Sequence, residues 1–229
     1  MRLHRFMVFV DLGKSMVEIK DFNFLHQVRS VLRLKEGDQL ILVGNKKEAT
    51  AKIVKYLDSG ANLEILSRRK IAVAEKRTAV LYVSVLKREN FELVVQKATE
   101  VGISKIVPML CARTVKTGLR QDRLERIAKE AAEQCGRVSV PEISEIQNFS
   151  DILKSAPKNS FIFSLDAKKS AVGFKFPKEA NLFIGPEGGW VGEELALAKK
   201  VGFKELSLGP LVLRAETAAI VSGYLAVNL

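Results

Sequence analysis

Cysteine is scarce in this 229-residue chain: there are two, Cys111 and Cys135, and neither has a second thiol at CxxC spacing. Two cysteines cannot build a disulfide framework, and with His4 and His26 the chain offers too few ligands for a zinc site. Both thiols stand among apolar or small residues and are expected to be buried and free. Long apolar runs are also missing. The stretch Phe6–Val10 is too short for a signal-peptide core and ends at Asp11, and nothing approaches the roughly 20 apolar residues needed to cross a bilayer. A secreted or membrane protein is thereby excluded, and a reducing, cytoplasmic setting is expected. Neither GxGxxG nor GxxxxGK[ST] occurs, which disfavours dinucleotide and nucleoside-triphosphate enzymes. There is no internal repeat and no low-complexity tract.

Basic charge is abundant instead. The chain carries 37 Lys and Arg against 26 Asp and Glu, a net charge of +11. Such a surplus favours a polyanionic partner, because phosphate contacts release counterions. Residues 1–68 carry a net +4, residues 69–77 a net +3 and residues 78–229 a net +4. A surplus spread over the whole length suits a long RNA better than one local phosphate pocket. With 47% hydrophobic residues, the chain has ample material for a core.

The rhythm of apolar residues changes along the chain. Short β-rich runs at His4–Val10, Gln39–Val43, Glu48–Ile53 and Asn62–Leu66, with turns at Glu36-Gly37-Asp38 and Asp58-Ser59-Gly60, predict a small barrel. One helical piece, Phe24–Val31, interrupts it. The cations Arg68, Arg69, Lys70, Lys76 and Arg77 read as a connector. From Ala79 strands and helices alternate: strands at Ala79–Leu86, Lys105–Leu110, Phe161–Leu165, Asn181–Ile184 and Glu205–Leu208, and helices at Asn90–Val101, Gln121–Val138, Glu193–Val201 and Ala215–Val227. That alternation predicts a parallel sheet covered on both faces. The domains are therefore 1–68 and 78–229, joined by a linker at 69–77.

Two segments carry chemistry. In Leu182–Trp190 a strand runs into Gly185-Pro186-Glu187-Gly188-Gly189 and then a helix; glycines there let backbone approach a ligand closely, outside the carboxyl end of a strand. In Leu206–Ala218 a strand ends at Gly209-Pro210, and Arg214-Ala215-Glu216-Thr217 opens the last helix. Capping and the helix dipole account for Glu216 and Thr217, but a cation at a helix N-terminus is disfavoured, so Arg214 needs an anion or a polar substrate edge to explain it. Arg29, Arg33, Lys97, Arg113, Arg120 and Arg137 are candidate RNA contacts, with Arg123 and Arg126 extending a basic stripe along the long helix; Lys97 and Glu100 could equally form a surface ion pair. His26 reads as a structural histidine.

These motifs, taken in order, resemble a known family. His26, Val31 and Arg33 with Gly37-Asp38, then Gln96–Gly102, then Glu133-Gln134-Cys135-x-Arg137 with Val140-Pro141, then Ile184–Gly189, then Leu213-Arg214-x-Glu216-Thr217-Ala218 are similar to the ribosomal small-subunit RNA methyltransferases of the RsmE family, in the SPOUT superfamily. The resemblance implies an N-terminal PUA-like β-barrel and a C-terminal SPOUT α/β domain with a trefoil knot. It also implies a homodimer, S-adenosyl-L-methionine as cofactor, and N3-methylation of a uridine in 16S rRNA or the small ribosomal subunit. Leu165, Ile184, Gly185, Glu187, Gly188, Gly189, Leu208, Leu213, Thr217 and Ala218 would line the cofactor. Arg214 would be the main catalytic residue and Glu216 a candidate base. The chain departs from the family pattern at Leu211, which leaves no second cation beside Arg214, at Ala215, and at Trp190, where phenylalanine is more usual. A related enzyme acting on a ribose hydroxyl or a guanine, and a non-catalytic assembly factor, stay open as alternatives. An apolar face of the last helix, Ile220, Val221, Tyr224 and Leu225, suits a dimer interface or a core.

Overall fold

The computed structural model describes residues 3–44, 47–70, 77–115 and 118–229 and divides into two compact units. The first comprises residues 1–74 with 132–139, the second residues 75–131 with 140–229.

In the first unit, strands β1 (Arg5–Met7), β2 (Met16–Ile19), β3 (Gln39–Gly44), β4 (Lys47–Leu57) and β5 (Gly60–Lys70) form one sheet in the order β1-β3-β4-β5-β2. β1 runs parallel to β3 and the other neighbours are antiparallel. The alternation read from the sequence fixes the faces: Ala49, Ala51, Ile53, Leu63 and Ile65 point into a core with Phe6, Leu40 and Leu42. Helix α1 (Phe22–Leu25) and a following π-helical turn, His26–Val31, contribute Phe24 and Val28 to that core, with Phe24 edge-on to Phe6 at 5.1 Å. Gly60 sits where a β-carbon would lie 2.0 Å from the carbonyl oxygen of Ile19, so no other residue fits between β5 and the end of β2.

Three expectations are corrected here. Arg69 and Lys70 stand in β5, opposite Glu48 and Lys47, rather than in a connector, because Arg68 is tied down by donating to the carbonyls of Leu12 and Lys14, both at 2.8 Å. Lys76 lies outside the described residues. His26 is exposed, its ring beside Phe22, and is not a buried structural histidine. Cys135 is exposed, because α3 (Gln121–Cys135) ends there rather than at Val138 and turns its Ala132 and Glu133 inward instead. Glu133 accepts from the Met7 amide at 2.7 Å, within the first unit. β2 was not foreseen; its four residues are too few to show a period.

The second unit is a parallel sheet in the order β12-β10-β11-β6-β7-β8: β6 (Thr78–Ser84), β7 (Lys105–Leu110), β8 (Glu142–Ile143), β10 (Ser160–Phe163), β11 (Glu179–Ile184) and β12 (Lys204–Leu206), with β9 (Gln147–Asn148) also pairing with β7. Successive residues go to opposite cores. Leu81, Val83, Phe161, Leu182 and Ile184 face one, with α2 (Arg88–Val101) and α6 (Ala215–Asn228) packed together over it. Ile162, Phe183 and Met109 face the other, which is filled by α4 (Phe149–Ser155) and α5 (Gly192–Lys200) through Phe149, Ile152 and Ala198. Burial on both faces is why these strands read as apolar runs. On α6, Leu225 and Ala226 are buried in the first of these cores, Ile220 and Val221 are partly exposed, and Tyr224 is exposed. Among the described residues no helix is long and apolar enough to cross a membrane, and no group of three metal-ligating side chains occurs.

Candidate functional site

All strands of this sheet point the same way, so the segments leaving their carboxyl ends converge. They enclose a cleft of about 900 Å³. The loop after β10 brings Leu165 and Asp166, the loop after β11 brings Gly185 through Trp190, and the segment from β12 to α6 brings Leu208 through Glu216. Lys87 and Asn90 follow β6, and Arg113 and Val115 follow β7. This is where an open α/β sheet binds ligands, and the volume suits a nucleoside-sized molecule.

The glycine-rich loop is held from two sides. Trp190 donates from Nε1 to the carbonyl of Phe163 at 2.9 Å, tying the β11 loop to the end of β10, and its ring packs on Phe149 at 4.8 Å. Arg113 donates from Nη1 to the carbonyl of Gly188 at 2.7 Å, and its methylenes lie where a Gly188 side chain would project. Gly189 has φ +70° and closes a turn onto Pro186 at 2.8 Å. The next helix is set by Glu194, which accepts from the amides of Val191 at 3.0 Å and Ala112 at 2.8 Å. Small residues and braced turns thus leave bare main-chain groups facing the cleft, a surface that can hydrogen-bond a base and a ribose.

The second loop presents the chemistry. Gly209, at φ +131°, turns the chain after β12, with the Ser207 hydroxyl bonded to both its amide and its carbonyl. Arg214 is the N-cap of α6, and its carbonyl receives the Ala218 amide at 2.8 Å. Its guanidinium is exposed and has no carboxylate or carbonyl partner among the described residues. Glu216 is only 7% exposed, and its Oε2 has no hydrogen-bond partner. A buried carboxylate oxygen without a protein donor is costly, and in the wall of a cleft it is open to a donor from water or a bound ligand. Around the mouth, Leu165, Leu211, Val212 and Val115 are exposed and make an apolar rim.

The structure therefore brings together Leu165, Ile184, Gly185, Glu187, Gly188, Gly189, Leu208, Leu213, Ala218, Arg214 and Glu216. Thr217 is not in the cleft wall. Of the candidate RNA contacts, only Arg113 lines the cleft. Lys97 is paired with Glu100 at 2.8 Å and Arg120 with Asp122 at 2.8 Å, while Arg123 is bound to Glu92. Arg29, Arg33 and Arg137 belong to the first unit. Lys87, Asn90 and Asp166 were missed, because no motif surrounds them: Lys87 and Asn90 stand at the start of α2 and Asp166 in the loop after β10. Behind the loop, burial with help from the Glu194 charge pushes the Cys111 thiol up to about 12. Little thiolate is expected there near neutral pH, as for other buried free thiols.

An RNA methyltransferase domain family matches residues 74–226. A ribosomal RNA small subunit methyltransferase E from Mesomycoplasma hyopneumoniae is 32% identical over 73% of this chain and 77% of its own. One from Rickettsia conorii is 30% identical over 91% and 88%. Among solved structures, a methyltransferase from Legionella pneumophila in complex with SAM superposes with a TM-score of 0.89 at 29% identity, covering 97% of this chain and 96% of that one. The ribosomal RNA small subunit methyltransferase E from Neisseria gonorrhoeae bound to S-adenosyl methionine gives 0.86 at 27% identity, covering 97% and 95%.

Proposed function

Since this chain belongs to the ribosomal RNA small subunit methyltransferase E family, we propose that it transfers a methyl group from S-adenosylmethionine to N3 of a uridine in 16S rRNA. S-adenosylmethionine-dependent rRNA methylation is the activity of the family. The choice of uracil N3 is our reading, carried by one observation: the buried, unpartnered Oε2 of Glu216 lines the same cleft as the unpaired Arg214.

The cleft fits the cofactor. Bare backbone at Gly185, Gly188 and Gly189 and the apolar side chains of Leu165, Ile184, Leu208 and Leu213 would hold a nucleoside, and Asp166 and Glu187 offer carboxylates to positively charged groups. The cofactor supplies an electrophilic methyl group on a sulfonium. The residues supply the rest. Uracil N3 carries a proton and is a poor nucleophile until it is lost. Glu216 accepts that N3–H, which supplies the donor Oε2 lacks, and takes the proton as N3 gains the methyl group. Arg214 faces the imide oxygens, where negative charge collects as the proton leaves, and stabilises it as an oxyanion-hole donor does. The cleft walls align the two reactants and exclude water. The positive end of α6 at Arg214 adds to the same field.

The N-terminal sheet is read as a PUA-like barrel that grips rRNA, and the second unit as a knotted SPOUT domain working as a cytoplasmic homodimer. The test is methyl transfer from labelled S-adenosylmethionine to naked 16S rRNA and to small subunits from a strain lacking this activity, with mass mapping of the product base. N3-methyluridine at one site is the expected result. Methylation of a ribose or a guanine would overturn the assignment of N3, and no transfer to either substrate, with S-adenosylmethionine binding also absent, would favour an assembly factor.

A further inference from the structure

The outer face of α1 and its π-helical extension holds an aromatic pair with no place in the core. Asp21 caps the helix, its Oδ1 accepting from the amides of Asn23 at 2.8 Å and Phe24 at 3.2 Å. That cap turns Phe24 and Leu25 inward and leaves Phe22 74% exposed. One turn later His26 is exposed, and its ring lies 6.3 Å from that of Phe22 with 25° between the planes. The chain then winds through His26–Val31 as a π-helix, a rare form that tends to mark functional positions. It leaves that turn through Arg33 at φ +54°, a left-handed backbone unusual for a side-chain-bearing residue. Hydrogen bonds from Leu32 to Gln27 at 2.9 Å and from Leu34 to Val28 at 3.0 Å hold this shape, and fully buried Val28 anchors it.

Two cations follow in the same segment. The Arg29 guanidinium sits 5.5 Å from the centre of the Tyr56 ring, and neither Arg29 nor Arg33 has a carboxylate partner among the described residues. The nearby acids are occupied by backbone amides: Asp21 as above, Glu36 by Tyr56 at 3.0 Å and Asp38 by Lys35 at 2.7 Å. Exposed, near-parallel rings, with guanidiniums free of carboxylates a few residues along the chain, are the kind of surface that stacks a nucleobase and holds its phosphates.

We infer that Phe22 and His26 form a stacking platform for an unpaired nucleobase of the RNA substrate, with Arg29 and Arg33 on the adjoining phosphates. The inference rests on the rRNA reading above. It adds a base contact made by the first unit, remote in sequence from the cleft residues.

The test uses the full-length protein and its Phe22→Ala, Phe22→Trp and His26→Ala variants, with thermal melts confirming that each is folded. Binding is measured to single-stranded small-subunit rRNA fragments and to a blunt RNA duplex, and methyl transfer is followed at varied RNA. Phe22→Ala is expected to weaken single-strand binding and raise KM for RNA about tenfold. It should leave kcat at saturating RNA, duplex binding and S-adenosylmethionine affinity unchanged. His26→Ala should show a smaller loss, and Phe22→Trp should bind as the native protein does. Equal KM in native and Phe22→Ala proteins overturns the inference, as does a Phe22→Trp defect matching that of alanine. Co-sedimentation with anionic vesicles is measured alongside, and a Phe22→Ala defect seen there and not with RNA overturns the inference in favour of a lipid surface. A native protein that neither binds nor methylates rRNA overturns the parent reading as well.

Discussion

A β-carbon on Gly185 would lie 3.0 Å from Cε2 of Trp190 and 3.1 Å from both Cδ2 and Nε1, so the indole occupies the space that the missing side chain leaves. The two residues define the floor of the cleft together, since the same Nε1 is bonded to the Phe163 carbonyl. Gly185→Ala should push the ring off that bond. The expected cost is about 1–3 kcal/mol in stability, as for other overpacked sites. Trp190 is the chain's one tryptophan, so its fluorescence reports directly. A shifted emission, a lower Tm and weaker S-adenosylmethionine binding are expected; unchanged emission would contradict the packing described.

Arg214 has no structural task to lose, because it makes no ion pair among the described residues. Arg214→Ala should therefore leave Tm near native. Methyl transfer should drop by about 100- to 1000-fold, the usual effect of removing one charge-stabilising donor. S-adenosylmethionine affinity, measured by calorimetry, should move little. Full activity in this variant would remove Arg214 from the mechanism.

Glu216 predicts the opposite signs for stability and activity. Its buried oxygen is unpaired, so a neutral isostere relieves a desolvation penalty. Glu216→Gln should be at least as stable as the native protein in chemical denaturation, yet slow in single-turnover methylation. A variant that is both destabilised and active would mean that the carboxylate serves the fold instead.

The two thiols should separate cleanly. Cys135 is exposed, while Cys111 is buried with its thiol pushed up to about 12. Native protein at mildly alkaline pH should take up one equivalent of a thiol reagent at Cys135, and denatured protein two, located by peptide mass mapping. Rapid native labelling of Cys111 would contradict its burial.

Glu92 offers a pH test. Hydrogen bonding from Arg123, at 2.5 and 2.7 Å, and from Arg88 holds its carboxyl below the usual range. A carboxylate lowered in the folded state stabilises at pH above its unfolded value and loses that contribution as pH falls through the folded one. Glu92→Gln should have a slightly lower Tm at neutral pH, the effect being small because both guanidiniums reach solvent. The gap should narrow below about pH 4.3 and close in stronger acid. A gap independent of pH would rule out the charge.

Much of this was legible in the sequence wherever burial was strong. β7 was read to the residue, since both its faces are covered and its apolar run is unbroken. Helix α2 ends at Gly102 as expected, because the left-handed residue that stops it is a glycine. The glycine loop and Arg214 announced themselves by residue types that a turn or a cap alone does not require. Strands β8 and β9 and helix α4 were silent, being two to seven residues long and fixed by tertiary pairing rather than by local pattern. Cys135 was misread because it falls on the apolar stripe of α3 at the very turn where the helix ends. The unpartnered oxygen of Glu216 has no signature in a sequence at all; the residue looks like an ordinary first-turn acid.

The order of strands in the larger sheet sets a schedule for synthesis. The ladders of the first unit mostly join segments that leave the ribosome together, as at Leu57 and Gly60. The seam of the second joins Thr78 to Glu179 and Phe161 to Lys204. A nascent chain halted before Glu179 would hold a largely paired first sheet and a β6 whose edge is bare on one side, open to pairing with a neighbouring nascent chain. Premature termination of this protein should therefore yield aggregates, not a smaller working enzyme.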